Sequence, residues 1–130
     1  MIVVDSSVWI ASFRGLLTPS VKRLREIRDP GKILVGDLIL LELLQGARSD
    51  AEARQIRNVM ADFPTANMLN VDTAIVSATN YRRLRASGIT IRKTIDVIIA
   101  TFCIENDHAL LHDDRDFHPF VKHLGLQIAH

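Results

Sequence analysis

Two stretches of this chain, Ile2-Val3-Val4 and Ile33-Leu34-Val35, are wholly apolar and β-branched-rich, with none of the alternation that a half-solvated strand shows. A run of this kind reads as a strand buried on both faces, the condition of strands in a parallel sheet covered by helices. Residues 109–112 form a similar run, residues 66–69 are a weaker candidate and residues 126–128 a last one. Helical patterns lie between them. Residues 8–11 read as helical, and Thr18-Pro19 supplies an N-cap and a first-turn proline for a helix to about Arg28, closed by Asp29-Pro30-Gly31. Asp37 can cap a Leu-rich helix that Gly46 ends, and Ser49-Asp50-Ala51-Glu52 has capping-box spacing for another, to about Ala61. Asp72 or Thr73 starts a helix to about Ser87, Thr94 can cap the next, and residues 115–122 make a short final one. Alternating strands and helices predict an α/β fold: an open parallel sheet of four to five short strands with helices on both faces.

The apolar runs carry acids. Asp5 follows the first strand, Glu42 lies inside Leu41-Glu42-Leu43, Asp96 inside Ile95-Asp96-Val97, and Asp114 comes after Leu110-Leu111-His112-Asp113. A carboxylate among hydrophobes is costly unless its charge is compensated. Taken singly, Asp5 suits a turn, Asp114 an N-cap and Asp96 the positive end of a helix dipole. Glu42 fits none of these, being mid-helix between leucines with only Gln45 and Gly46 one turn on. Gathered together, the acids would offer hard oxygen ligands to a divalent cation. Ligands of open α/β sheets bind at the carboxyl ends of the strands, where Asp5 and Asp114 fall. Metal-assisted hydrolysis of a phosphate ester follows, with Asp116 or Glu42 as the candidate to take a proton from water.

Charge distribution is compatible with that chemistry. The net charge is only +1, from 16 basic and 15 acidic residues, so the total implies no polyanionic partner. Yet Arg82, Arg83, Arg85, Arg92 and Lys93 fall in a segment without acids, suited either to attracting phosphate or simply to solvent. Other chemistries lack their residues. The five histidines have no paired zinc spacing, Ser7 stands where a phosphatase would need a second Asp, and no Gly-rich phosphate loop is present. Trp9 and Phe13 share a helix face and read as core or interface. Cys103, the single cysteine, excludes an intrachain disulfide and reads as a small buried hydrophobe. With no signal-peptide pattern and no apolar run near the ~20 residues of a membrane span, the expectation is a cytoplasmic protein.

Four segments, in order, resemble a known family. Met1-Ile2-Val3-Val4-Asp5-Ser6-Ser7-Val8-Trp9-Ile10 resembles the opening of PIN-domain proteins, especially VapC-type toxins of bacterial toxin–antitoxin pairs. Leu41-Glu42-Leu43-Leu44-Gln45-Gly46, Thr94-Ile95-Asp96-Val97-Ile98-Ile99-Ala100 and Leu110-Leu111-His112-Asp113-Asp114-Arg115-Asp116-Phe117 are similar to the family's later acidic motifs. The resemblance implies one PIN-like domain over residues 1–130 that cleaves RNA with Mg²⁺ or Mn²⁺ and blocks translation. Asp5, Glu42, Asp96 and Asp114 would be its metal-binding quartet, with Asp116 close by and Ser6 and Thr94 as supporting polar residues. It also implies a homodimer and a cognate VapB-type antitoxin as partner. The rival readings are a non-catalytic protein-interaction module and a metal-dependent phosphatase of small phosphate esters.

Overall fold

A computed structural model describes residues 1–129. The elements run β1 (Ile2–Val4), α1 (Ser6–Phe13), α2 (Pro19–Glu26), β2 (Ile33–Gly36), α3 (Asp37–Gln45), α4 (Asp50–Met60), β3 (Thr65–Ala66), α5 (Val71–Ala86), α6 (Thr94–Glu105), β4 (Ala109–Leu111) and α7 (His118–Leu124). Short 3-10 turns precede β2 and α7, at Pro30–Lys32 and Arg115–Phe117. The strands form one parallel sheet in the order β3-β2-β1-β4. The chain steps outward from β1 through β2 to β3, then returns to place β4 on the other side of β1. Right-handed crossovers therefore put α1–α4 on one face and α5–α6 on the other. The direction reverses between β1 and β4, and this is the switch point at which such sheets open a crevice.

Burial explains the uniform apolarity of the strands. Val3, Val4, Val35 and Leu110 are each at most 1% exposed, and Ile39, Ile99, Phe117 and Phe120 close the core from the helices. Pairing of Val3 with Leu110 and Val4 with Leu111 fixes the central register. Asn80 donates to Thr101 at 3.0 Å, satisfying two buried polar side chains where α5 packs on α6.

Several boundaries differ from expectation, each for a local reason. Thr18, Ser49 and Pro19 act as anticipated. Asp37 and Thr94 are instead the first helical residues, because Gly36 and Lys93 before them hold the extended cap conformation. Asp37 uses its carboxylate across the sheet edge, accepting from the Met68 backbone N–H at 2.9 Å. Asn70 caps α5, accepting from Thr73. The strand expected at 66–69 is confined to Thr65–Ala66, and that at 126–128 contributes one bridge, Ile128 to Leu110.

Gly36 joins β2 to the helix carrying Glu42, and a Cβ there would lie 2.2 Å from Met68 Sδ and 2.5 Å from its Cε. Met68 is fully buried, so its thioether has nowhere to retreat. Gly36→Ala should destabilise the protein by about 1–3 kcal/mol, the usual cost of overpacking. An unchanged urea midpoint would show that this corner is looser than its contacts imply.

Candidate active site

Asp5 leaves β1 pinned against the end of β4, its N–H donating to Leu111 O at 2.9 Å. Its carboxylate caps α1, with Oδ2 accepting from the Ser7 N–H at 3.1 Å and the Ser7 hydroxyl at 2.6 Å. The same hydroxyl oxygen accepts from the Asp113 N–H at 3.1 Å. Ser7 thus ties the Asp5 carboxylate to the segment that follows β4.

Asp114 lies on that segment. It caps the 3-10 turn, Oδ1 accepting from the Asp116 N–H at 2.9 Å, and its own N–H donates to His112 Nδ1 at 3.1 Å. Ser7 reads from the sequence as a turn or supporting residue, and its bonds to Asp5 and Asp113 agree with that, whereas nothing in the sequence marks His112 as a residue that positions the acids. The Ser7 partner Asp113 is 106 residues away, and His112 stands two residues before Asp114.

Asp96 enters from the first turn of α6, 3% exposed, and its Oδ2 has no hydrogen-bond partner among the described residues. Oxygens of Asp96, Asp114 and Asp116 lie within 4.8 Å of one another. Glu42, half-buried in the second turn of α3, accepts from the Ser6 hydroxyl at 3.3 Å. The three-residue cluster does not include Asp5 or Glu42, but their electrostatics reach it. Burial is the main cause that raises the Asp5 carboxyl above its usual range, and Asp114 adds to it against the two Ser7 hydrogen bonds. Burial, then Asp5, raises Glu42, while Ser6 and Lys93 oppose the rise. Asp96 is pushed up to about 7, first by burial and then by Asp5, Asp114 and Glu42, with Lys93 pulling the other way. Four carboxylates from four different elements therefore share one field.

Lys93 is a basic residue that the fold brings to this place, its Nζ 3.8 Å from Asp114 Oδ2. Arg82, Arg83 and Arg85 lie in the last turns of α5 and Arg92 in the loop beyond, where Arg82 donates to Thr79 and Arg85 to Thr90. Thr94 is exposed at the start of α6, on a surface shared with α5. Cys103 is fully buried and its thiol is raised to about 12, chiefly by burial, which leaves it an inert packing residue.

Oxygen-only donors, one of them buried and unsatisfied, suit a hard divalent cation better than zinc or copper. At ordinary pH such a cluster is stable only if protonated or occupied by positive charge.

The family model of the PIN domain matches residues 2–121. No curated protein matches the chain by sequence. Among solved structures, a chain of VapBC2 from Rickettsia felis, bound to a DNA fragment from its promoter, superposes with a TM-score of 0.78 at 14% identity, covering 98% of this chain and 97% of its own. VapBC-1 from nontypeable Haemophilus influenzae gives 0.75 at 16% identity, covering 98% and 96%. VapC20 from Mycobacterium tuberculosis, a sarcin-ricin loop cleaving toxin, gives 0.68 at 17% identity, covering 91% and 93%. At these identities the likeness shows the fold.

Proposed function

This chain belongs to the PIN-domain family, and we propose that it is a Mg²⁺- or Mn²⁺-dependent endoribonuclease, the toxin of a VapBC-type pair that acts by blocking translation. The observation that carries the proposal is the Asp96, Asp114 and Asp116 cluster with its unpartnered buried oxygen, at the switch point of the sheet. Asp96, Asp114 and Asp116 would hold the cation, with Asp5 adjoining. When bound, the cation would lower the pKa of a coordinated water and neutralise charge on the phosphoryl group. Glu42 lies outside the cluster and carries a raised pKa, which suits it to take the proton from the attacking water. Ser6 orients that carboxylate, and Ser7 and His112 hold Asp5 and Asp114 in register. The attacking oxygen would form its bond to phosphorus as the bond to the departing ribose oxygen breaks, that oxygen leaving as a hydroxyl with a proton taken from solvent. Lys93, beside Asp114, would meet the phosphate, while Arg82, Arg83, Arg85 and Arg92 would act further out along the RNA backbone.

The names of the relatives support two associations, a VapB-type antitoxin as partner and RNA as substrate. A homodimer is the assembly expected from the family resemblance. Incubated with total RNA, the intact protein should produce discrete fragments with Mg²⁺ or Mn²⁺ and none with excess chelator. Cleavage indifferent to chelator, or no cleavage under any divalent condition, would defeat the reading. Preferential turnover of small phosphate esters that RNA does not inhibit would point to a phosphatase instead.

A further inference from the structure

The segment after β4 carries three acids, and the fold divides them. Asp114 and Asp116 turn to Asp96 in the cluster, whereas Asp113 turns to the start of α2. Asp114 is extended, at φ −123° and ψ 119°, and neighbouring side chains on extended backbone point to opposite sides. Asp113 Oδ1 accepts from the Ser20 hydroxyl, and its Oδ2 accepts from the Thr18 hydroxyl at 3.4 Å. Ser20 Oγ also stands 3.3 Å from His112 O, and the Asp113 N–H donates to Ser7 Oγ at 3.1 Å. The short stretch that leads from β4 to Asp114 is therefore held between the first turns of α1 and α2.

We infer that Asp113 is a positioning residue for the metal site: by latching this segment to α2 it sets where Asp114 and Asp116 stand, and so how tightly the cluster holds a divalent cation. The inference rests on the metal-dependent nuclease reading and adds a residue that acts through others. Two of the three clustered carboxylates leave this one segment, and they are linked within it. The Asp114 N–H donates to His112 Nδ1 and the Asp116 N–H to Asp114 Oδ1, so a shift at residue 113 passes to both. Mg²⁺ tolerates little departure from ideal ligand geometry, so the placement of each oxygen bears on affinity. Residues that orient metal ligands typically matter by about 10–100-fold in affinity. Asp113 itself is exposed, so truncating it opens no cavity and removes the latch without hollowing the core.

The test is metal binding, separated from cleavage. Mn²⁺ binding by the full chain is followed through the electron paramagnetic resonance of the free ion, and exchange of the Asp114 and Asp116 amide protons is followed in chelator. Asp113→Ala should bind Mn²⁺ about tenfold more weakly than the parent and exchange both amides faster. Asp113→Asn should stay near the parent in both, because its carboxamide still accepts from Ser20 and meets Thr18 although the charge is gone. Ser20→Ala should also weaken binding. Combined with Asp113→Ala it should cost no more than Asp113→Ala alone, as for two residues that act through one contact. Thr18 is left intact because it also caps α2, accepting from the Val21 N–H. Unchanged affinity or unchanged amide exchange in Asp113→Ala, an Asn variant as weak as the Ala variant, or fully additive losses in the double variant would each overturn the latch. Failure of the nuclease reading is seen separately, as the lack of chelator-sensitive RNA cleavage by an unsubstituted protein that binds Mn²⁺; a parent that binds none would overturn both.

Discussion

Asp96→Asn should eliminate divalent-dependent RNA cleavage, a loss greater than the ~10–100-fold that removal of an outer-shell partner typically costs a metal site. Asp96 is the most deeply buried member of the three-carboxylate cluster, and its Oδ2 has no partner to fall back on among the described residues. The amide keeps the shape of the side chain and removes the charge. In chelator at pH 8 the variant should therefore melt higher than the parent by about 3–8 °C, corresponding to one or two kcal/mol of relieved repulsion and desolvation. Initial rates on labelled RNA and parallel thermal melts measure both effects. Retained cleavage would remove Asp96 from the chemistry, and a lower melting temperature at pH 8 would show that its charge is compensated in the folded chain.

Without divalent ions the parent protein should lose stability relative to Asp96→Asn as pH rises from 5 to 8. Asp96 is raised to about 7 when folded, and Asp5 and Glu42 are raised too. Between the ordinary carboxyl range near 4 and about 7 the folded chain therefore binds protons that the unfolded chain has released. Stability is fully present below that window and declines across it, by up to ~1.4 kcal/mol per pH unit for each proton held. His108 and His112, whose pKa values burial lowers, act in the opposite sense below about 6.5. Comparison with Asp96→Asn cancels their part and leaves a difference of about 2–3 kcal/mol across the window. Excess Mg²⁺ or Mn²⁺ at pH 8 should restore the parent far more than the variant. Urea titrations at each pH test this, and a parent that gains stability over the variant on going from pH 5 to 8 would contradict it.

What could be seen in the residues was local. Uniform apolarity at Ile2–Val4 and residues 33–35 is a direct imprint of burial on both faces, and Ser49 and Thr18 carry their capping signal within three residues. The four acids stood out because each breaks an apolar run. Their sharing of one field depends on β4 returning to lie beside β1, a pairing across more than 100 residues that no local pattern encodes. The same separation hid the Ser7 bridge to Asp113. Asp37 and Thr94 are of residue types that favour the cap position, but the extended residue before each helix is what decides its start. The Lys93 contact with Asp114 joins two chain segments that local spacing cannot relate, so Lys93 blended into a basic stretch from which the fold separates it.

The placement of β1 at the centre of the sheet with β4 as its neighbour has a consequence for synthesis. A nascent polypeptide that stops short of β4 owns Asp5, Glu42 and Asp96 but lacks both Asp114 and the strand that would bring the first of them into place. On the nuclease reading, competence would thus arrive only after residues 109–116 have been made and β4 has paired with β1, so a shorter nascent chain would carry an incomplete site.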